Sequence, residues 1–294
     1  MDKVIPDFFI VGAPKCGTTS LSMYLSDHPG IIMSNPKEPH YFSTDIENGR
    51  IANFNEYLAC FSHIDPTLVF GEASTLYLYS KTAAENILAH NKDALFIVML
   101  RNPVDIVFSF HQVALKFFGE TITNLGTAWD LQIERINGKQ IPRGCPDPKL
   151  LFYGEIAKLG AQVKRLISSM NPEQIKFIFF EEFVNETNKV YNSILEFLKV
   201  KQNHMPDFAI HNPTRRIKFS NITKTVNQIV GLKKAVGIKK QFGFAKRIHS
   251  SNVGDSPPNH MNQSLKTSLS NYFKEDIQLL SSLMKKDLSD WVAK

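Results

Sequence analysis

Residues 8–20, Phe-Phe-Ile-Val-Gly-Ala-Pro-Lys-Cys-Gly-Thr-Thr-Ser, constrain this chain more than any other stretch. Four apolar residues give the pattern of a short buried strand. Gly12 and Gly17 then bracket a tight loop, and Thr18 and Thr19 open a helix-like segment. A strand, a glycine loop and a helix start aim backbone N–H groups and the positive end of the helix dipole at one place. That place suits a phosphate or a sulfate, and Lys15 adds a mobile positive charge beside it.

A second run has the same logic. Ala94–Leu100 is continuously apolar, as in a strand buried on both faces of a parallel sheet. It ends in Arg101-Asn102-Pro103, and proline suits the first helical position because its missing N–H would be unpaired there anyway. Arg101 therefore falls at the carboxyl end of a strand, where open α/β sheets bind ligands. Ser109 follows about two helical turns later.

Elsewhere, strand patterns over Phe8–Gly12, Ile31–Met33, Leu68–Gly71, Ala94–Leu100 and Ile175–Phe180 alternate with helical patterns. The helices are expected over Thr18–Asp27, Thr82–His90, the residues after Pro103, Glu155–Met170 and Asn188–Lys199. This alternation predicts an α/β fold with a central parallel sheet flanked by helices on both faces. Ser43–Pro66 and Gly119–Leu150 read as long connecting loops, and Asn252–Asn262 as a loop over the site.

The first loop nearly matches the nucleotide triphosphate loop, in which a lysine and a serine or threonine follow the second glycine. Here Thr18 follows Gly17, and the lysine sits inside the loop at position 15. Gly12-Ala-Pro-Lys15-Cys16-Gly17-Thr18-Thr19-Ser20 instead resembles the 5′-phosphosulfate loop of sulfotransferases of the bacterial and heparan-sulfate-sulfotransferase-like branch. The resemblance implies 3′-phosphoadenosine 5′-phosphosulfate as donor and adenosine 3′,5′-bisphosphate as product. It implies that Lys15, Cys16, Gly17, Thr18, Thr19 and Ser20 line the 5′ end, with Arg101 and Ser109 as the 3′-phosphate site.

Lys37-Glu38-Pro39-His40-Tyr41-Phe42 is similar to a family segment whose glutamate is regarded as the catalytic base. Lys15, Glu38 and His40 are accordingly the expected catalytic residues, with His40 and His111 as rivals for the base. Gly71-Glu72-Ala73-Ser74 and Tyr77 resemble a segment near the acceptor, although Thr75 stands where many relatives have a proline. Residues 265–291 look like the closing helix of bacterial members, expected at about 263–285.

Composition sets the outer bounds. Its 294 residues suit a single domain over 1–294, and 43% hydrophobic with 21% charged residues is ordinary globular composition. Three cysteines without metal-ligand pairing, and no room for a leader before the first strand, point to a cytoplasmic setting. Cys16 lies where an anion site can depress a thiol pKa, though a small filler role suits it better. No metal is expected, because the transferred group carries one charge rather than two. Thr214–Arg247 holds ten Lys or Arg and no Asp or Glu, against a whole-chain net charge of +6. This basic segment at 214–247 is either a solvated helix or a contact for an anionic partner such as a membrane surface. No nucleic-acid partner is expected; the resemblance implies a glycan, glycolipid or small-molecule acceptor. Two other readings stay open: a nucleotide-triphosphate kinase, with Asp105 as a metal carboxylate, and a non-catalytic nucleotide-binding module.

Overall fold

In a computed structural model of the chain, residues 5–61, 65, 67–208, 216–217, 253–254 and 261–292 are described. They divide into two compact units. One is drawn from Met1–Val107, Gly154–Asn212 and Lys266–Lys294, the other from Phe108–Tyr153 and Pro213–Leu265. Apart from Arg216, Ile217, Val253, Gly254, Met261 and Asn262, the basic segment and the expected 252–262 loop lie outside the described residues.

The first unit is built on a five-stranded sheet of β1 (Phe8–Gly12), β2 (Ile31–Met33), β3 (Val69–Ala73), β4 (Leu95–Leu100) and β5 (Ile175–Phe179), in the order β2-β3-β1-β4-β5. Every pairing is parallel, with Phe8 opposite Gly71 on one side and Leu95 on the other. All five residues of β1 are buried, which is why its sequence is apolar without alternation. Helices α1 (Thr18–Ser26), α2 (Phe54–Leu58), α3 (Ala83–His90) and the start of α4 (Pro103–Phe117) alternate with these strands. From β1 the chain crosses toward β2, and from β4 it crosses the other way toward β5. The direction of winding therefore reverses between β1 and β4, and right-handed crossovers then place α1 and α3 on opposite faces. The crevice outside the carboxyl ends of β1 and β4 is the one such a reversal opens.

The second unit receives the rest of α4, then α5 (Leu125–Asp130) and α6 (Gln132–Ile136). The stretch expected as loop from Gly119 to Leu150 thus contains two short helices; Asn124 caps the first by accepting from Thr127 N at 3.0 Å. Within this unit β6 (Arg216–Ile217) pairs antiparallel with β7 (Val253–Gly254). Arg135 is 1% and Glu120 0% exposed, and they form a two-bond ion pair at 2.6 and 3.0 Å.

The helix expected over Glu155–Met170 is two, α7 (Tyr153–Ala157) and α8 (Leu159–Ser169), broken at Lys158. The break has a tertiary cause. Asp276, on α11 (Gln263–Met284), accepts from the N–H groups of Gly160 and Ala161 at 2.8 and 2.9 Å and so caps a new helix start. After β5, α9 (Phe180–Asn185) and α10 (Thr187–Phe197) complete the first unit's helices.

Candidate active site

The loop after β1 turns sharply. Gly12 has φ +147°, and a Cβ there would lie 2.7 Å from the Thr75 carbonyl oxygen, so only glycine fits. Lys15 adopts φ 66°, and Gly17, at φ 85°, caps α1 without a side-chain bond. The first intrahelical bond runs from Leu21 N to the Gly17 carbonyl at 3.1 Å. The N–H groups of Thr18 and Thr19 therefore have no acceptor within the helix and point out of its N-terminus. Thr18 is buried and Thr19 half-buried. For Cys16 the structure favours the filler role over the reactive thiol. Its thiol is fully buried, donates to the Pro14 carbonyl at 3.5 Å and is pushed up by burial, so it is packing filler and not a reactive thiolate.

Arg101 leaves the end of β4 and turns back over this loop. Its Nη1 donates to the Lys15 carbonyl at 3.0 Å and its Nη2 to Asp105 at 3.3 Å. The guanidinium carbon sits 4.4 Å from the centroid of the Phe180 ring, the first residue of α9. Arg101 Nε is buried without a hydrogen-bond partner. The two anion sites read from sequence are thus joined by a direct hydrogen bond. Asn102 accepts from Val104 N at 3.0 Å, and Pro103 starts α4 as expected. Ser109 is buried further along α4, within the second unit.

The third element approaches from the segment after β2. Glu38, His40 and Lys15 all have left-handed backbones, with φ of 64°, 54° and 66°. Three non-glycine residues in this region at one site is strain held by surrounding structure. Glu38 N donates to the Ala73 carbonyl at 3.0 Å, and His40 N to Ser74 Oγ at 3.0 Å. The Glu38 carboxylate takes Lys37 Nζ at 2.6 Å, Thr75 Oγ1 at 3.2 Å and His40 Nε2 at 3.4 Å. Burial works to raise its pKa, but the His40 bond and the Lys37 charge outweigh burial and hold it at about 2. With its side chain 39% exposed, Glu38 is a carboxylate that can be reached. Lys15 is lowered by burial and by the Arg101 charge, and Glu38 acts against both.

His111 is a poorer rival. It lies in the second unit, fully buried, with Nε2 on the Ile122 carbonyl at 2.8 Å. Lys37 and Phe180 were not singled out from sequence. Lys37 stands inside the quoted hexapeptide, but Phe180 carries no signal at all. Thr75, the departure from the family pattern, places its hydroxyl on Glu38, a bond a proline cannot make.

Arranged in this way, a lysine loop, a helix N-terminus, an arginine and an ionised glutamate can hold a phosphate-linked sulfate and take a proton beside it. Residues 5–282 match the sulfotransferase domain family. The chain belongs to that family. A sulfotransferase from Alicyclobacillus acidocaldarius, solved by crystallography, is 28% identical and superposes with a TM-score of 0.73 over 98% of this chain and 99% of that one. The membrane-associated sulfotransferase kil1 of Dictyostelium discoideum is 29% identical over 113 residues, 38% of this chain and 24% of that protein. The human bifunctional heparan sulfate N-deacetylase/N-sulfotransferase 3 is 21% identical over 295 residues, 96% of this chain and 30% of that protein. The chain thus spans about a quarter to a third of the length of these two relatives. The family resemblance and the parallel-sheet fold expected from sequence both hold, and of the three functional readings the family favours the sulfotransferase.

Proposed function

We propose that this protein transfers a sulfuryl group from 3′-phosphoadenosine 5′-phosphosulfate to a hydroxyl or amine of a glycan, a glycolipid or a small metabolite. The observation that carries the proposal is the hydrogen bond from Arg101 to the Lys15 carbonyl. It ties Arg101 to the main chain of the lysine loop, as a single ligand with two phosphate groups requires of its two anion sites, while Arg101 Nε keeps no hydrogen-bond partner.

The donor supplies a sulfuryl group activated as an anhydride with its 5′-phosphate. Lys15 and the N–H groups of Gly17, Thr18 and Thr19 hold the charge that grows on that phosphate as its bond to sulfur breaks. Each such contact is worth about 3 kcal/mol of transition-state stabilisation. Glu38 takes the proton from the acceptor as the new oxygen–sulfur bond forms, and the bisphosphate leaves with the electron pair. A glutamate held at about 2 by the His40 bond and the Lys37 charge is a weak base, so Lys37 must let it go. The negative sulfuryl oxygens offer Lys37 that alternative. His40 steadies Glu38 from the other oxygen.

Two adjuncts rest on sequence. The basic segment 214–247 is read as a contact for an anionic surface, tested by vesicle binding after Lys233, Lys234, Lys239 and Lys240 become glutamine. A reducing, cytoplasmic setting suits the free thiols of Cys16, Cys60 and Cys145.

A thermal shift with adenosine 3′,5′-bisphosphate, against ATP with magnesium, tests the donor. Bisphosphate at 100 times its dissociation constant should add about 2.7 kcal/mol of stability. A shift with ATP alone overturns the proposal. Transfer of radiolabelled sulfate to a panel of glycans and metabolites then names the acceptor.

A further inference from the structure

One buried carboxylate plays no part in the mechanism above. Glu72 lies in β3 and is 0% exposed. Its Oε2 accepts from Tyr57 Oη at 2.9 Å and from Tyr77 Oη at 3.0 Å, while its Oε1 is buried with no hydrogen-bond partner. Such a group is costly to bury, so its retention needs a reason.

The second phenol supplies the reason. Tyr77 Oη also accepts from the backbone N–H of Phe42 at 3.2 Å. Two residues earlier, His40 N donates to Ser74 Oγ, and four residues earlier Glu38 N donates to the Ala73 carbonyl. The backbone bearing Glu38 and His40 is therefore stitched at alternate residues to the segment that begins at Glu72. Aromatic packing completes the frame: Tyr41 stacks on Tyr57 at 4.7 Å, and Phe42 meets Tyr77 edge-on at 6.1 Å.

We propose that Glu72 is a positioning residue: its carboxylate orients the Tyr77 hydroxyl, which fixes the Phe42 N–H and thereby the left-handed turns that present Glu38 and His40. A phenol has one hydrogen. With that hydrogen committed to Glu72, its oxygen lone pairs face the Phe42 N–H; without an acceptor at Glu72, the hydroxyl can rotate and the clamp loosens. The inference rests on the reading of Glu38 as the base, and Glu72 acts only through it.

Burial raises Glu72 to about 7, and the hydroxyls of Ser74, Tyr57 and Tyr77 only partly offset it. The groups facing it are Tyr57 and Cys60 from α2 and its end, Tyr77 and Ser74 beyond β3, and the more distant Lys37 charge. Cys60 and both tyrosines are held protonated, raised by their own burial first, so Glu72 is the member of this group that changes charge near neutrality.

The test reads the clamp directly, in the full chain without any acceptor. Backbone amide resonances of Phe42 and His40 are followed by NMR from about pH 5.5 to about pH 8.5. Both should move with one inflection near the Glu72 titration, and Glu72→Gln should abolish it. Tyr57→Phe, which leaves the clamp intact but removes one donor that favours the ionised form, should move the inflection to higher pH. Bisphosphate affinity should stay within about twofold in both variants. Amides that do not move, or an inflection that survives Glu72→Gln or ignores Tyr57→Phe, overturn the proposal. Retained turnover in Glu38→Gln would instead remove Glu38 as the base and leave the amide result standing.

Discussion

Arg101 and Lys15 lie 86 residues apart in sequence, yet the Arg101 guanidinium donates to the Lys15 main-chain oxygen at 3.0 Å. The side chain at the end of β4 thus braces the loop at the end of β1. The bond also consumes a carbonyl that would repel an incoming anion. Both effects follow from the reversal of strand order between these neighbours.

Arg101→Lys should therefore be far from conservative. A lysine can keep the charge but not two simultaneous bonds and a stack on Phe180. Losing a charge-assisted contact costs about 1.5–3 kcal/mol, or roughly 10- to 100-fold in bisphosphate affinity. Isothermal calorimetry on the variant measures it, and an unchanged affinity would remove Arg101 from the donor site.

Glu38→Gln should lower sulfuryl transfer by about 10²- to 10⁴-fold while bisphosphate still binds. Because His40 and Lys37 keep Glu38 ionised down to about pH 2 before any ligand draws Lys37 away, the acid limb of the wild-type kcat/KM profile, which reports the free enzyme, should not fall at the ordinary glutamate range. A pH–rate profile with a limb near pH 4.5 would contradict this.

Glu72 should leave a signature in stability. Its folded pKa of about 7 lies above the unfolded value of 4.5, so the native state binds the extra proton between those limits. The stability this contributes is fully present below pH 4.5 and lost as pH rises through 7. Glu72→Gln should thus gain on wild type between pH 5 and pH 8, by on the order of 3 kcal/mol. Urea unfolding of both proteins at the two pH values checks the sign.

Gly12→Ala should be strongly destabilising. The new methyl would lie 2.7 Å from the Thr75 carbonyl, at a backbone angle that alanine resists. A cost of about 1–3 kcal/mol from strain alone is expected, read as a lowered Tm.

In the second unit, Glu120→Gln should cost about 3–5 kcal/mol, because it strands the buried Arg135 charge. Glu120 also accepts from Tyr153 Oη at 2.6 Å. Replacing Glu120 and Arg135 together by apolar residues of similar volume should cost much less. Denaturant unfolding separates the two cases, and equal losses would show that the ion pair itself stabilises the unit.

Much of the framework was legible in the sequence. β1, β2 and the start of α1 fall where the residues put them, and α4 starts at Pro103. The reason is locality: apolar runs, glycine turns and proline at a helix start act over a few residues. Lys15, Thr18 and Arg101 could be named as candidates because a strand–loop–helix unit turns its own N–H groups and neighbouring charges toward one point, whereas Glu38 was named only through the family resemblance of its segment.

Other features were settled only when distant segments met. The helix expected from Glu155 divides because a carboxylate 116 residues away caps Gly160. β3 runs on to Ala73, which takes Glu72 into the core, where two tyrosines from outside the strand receive it. Cys16 points inward, and Arg101 finds Lys15 and Phe180 at once. Sequence periodicity decided which residues are strand and which are loop. Which buried polar group meets which partner, and hence which carboxylate stays ionised, was decided by the tertiary structure, because desolvation and hydrogen bonding depend on neighbours that the chain order does not bring together.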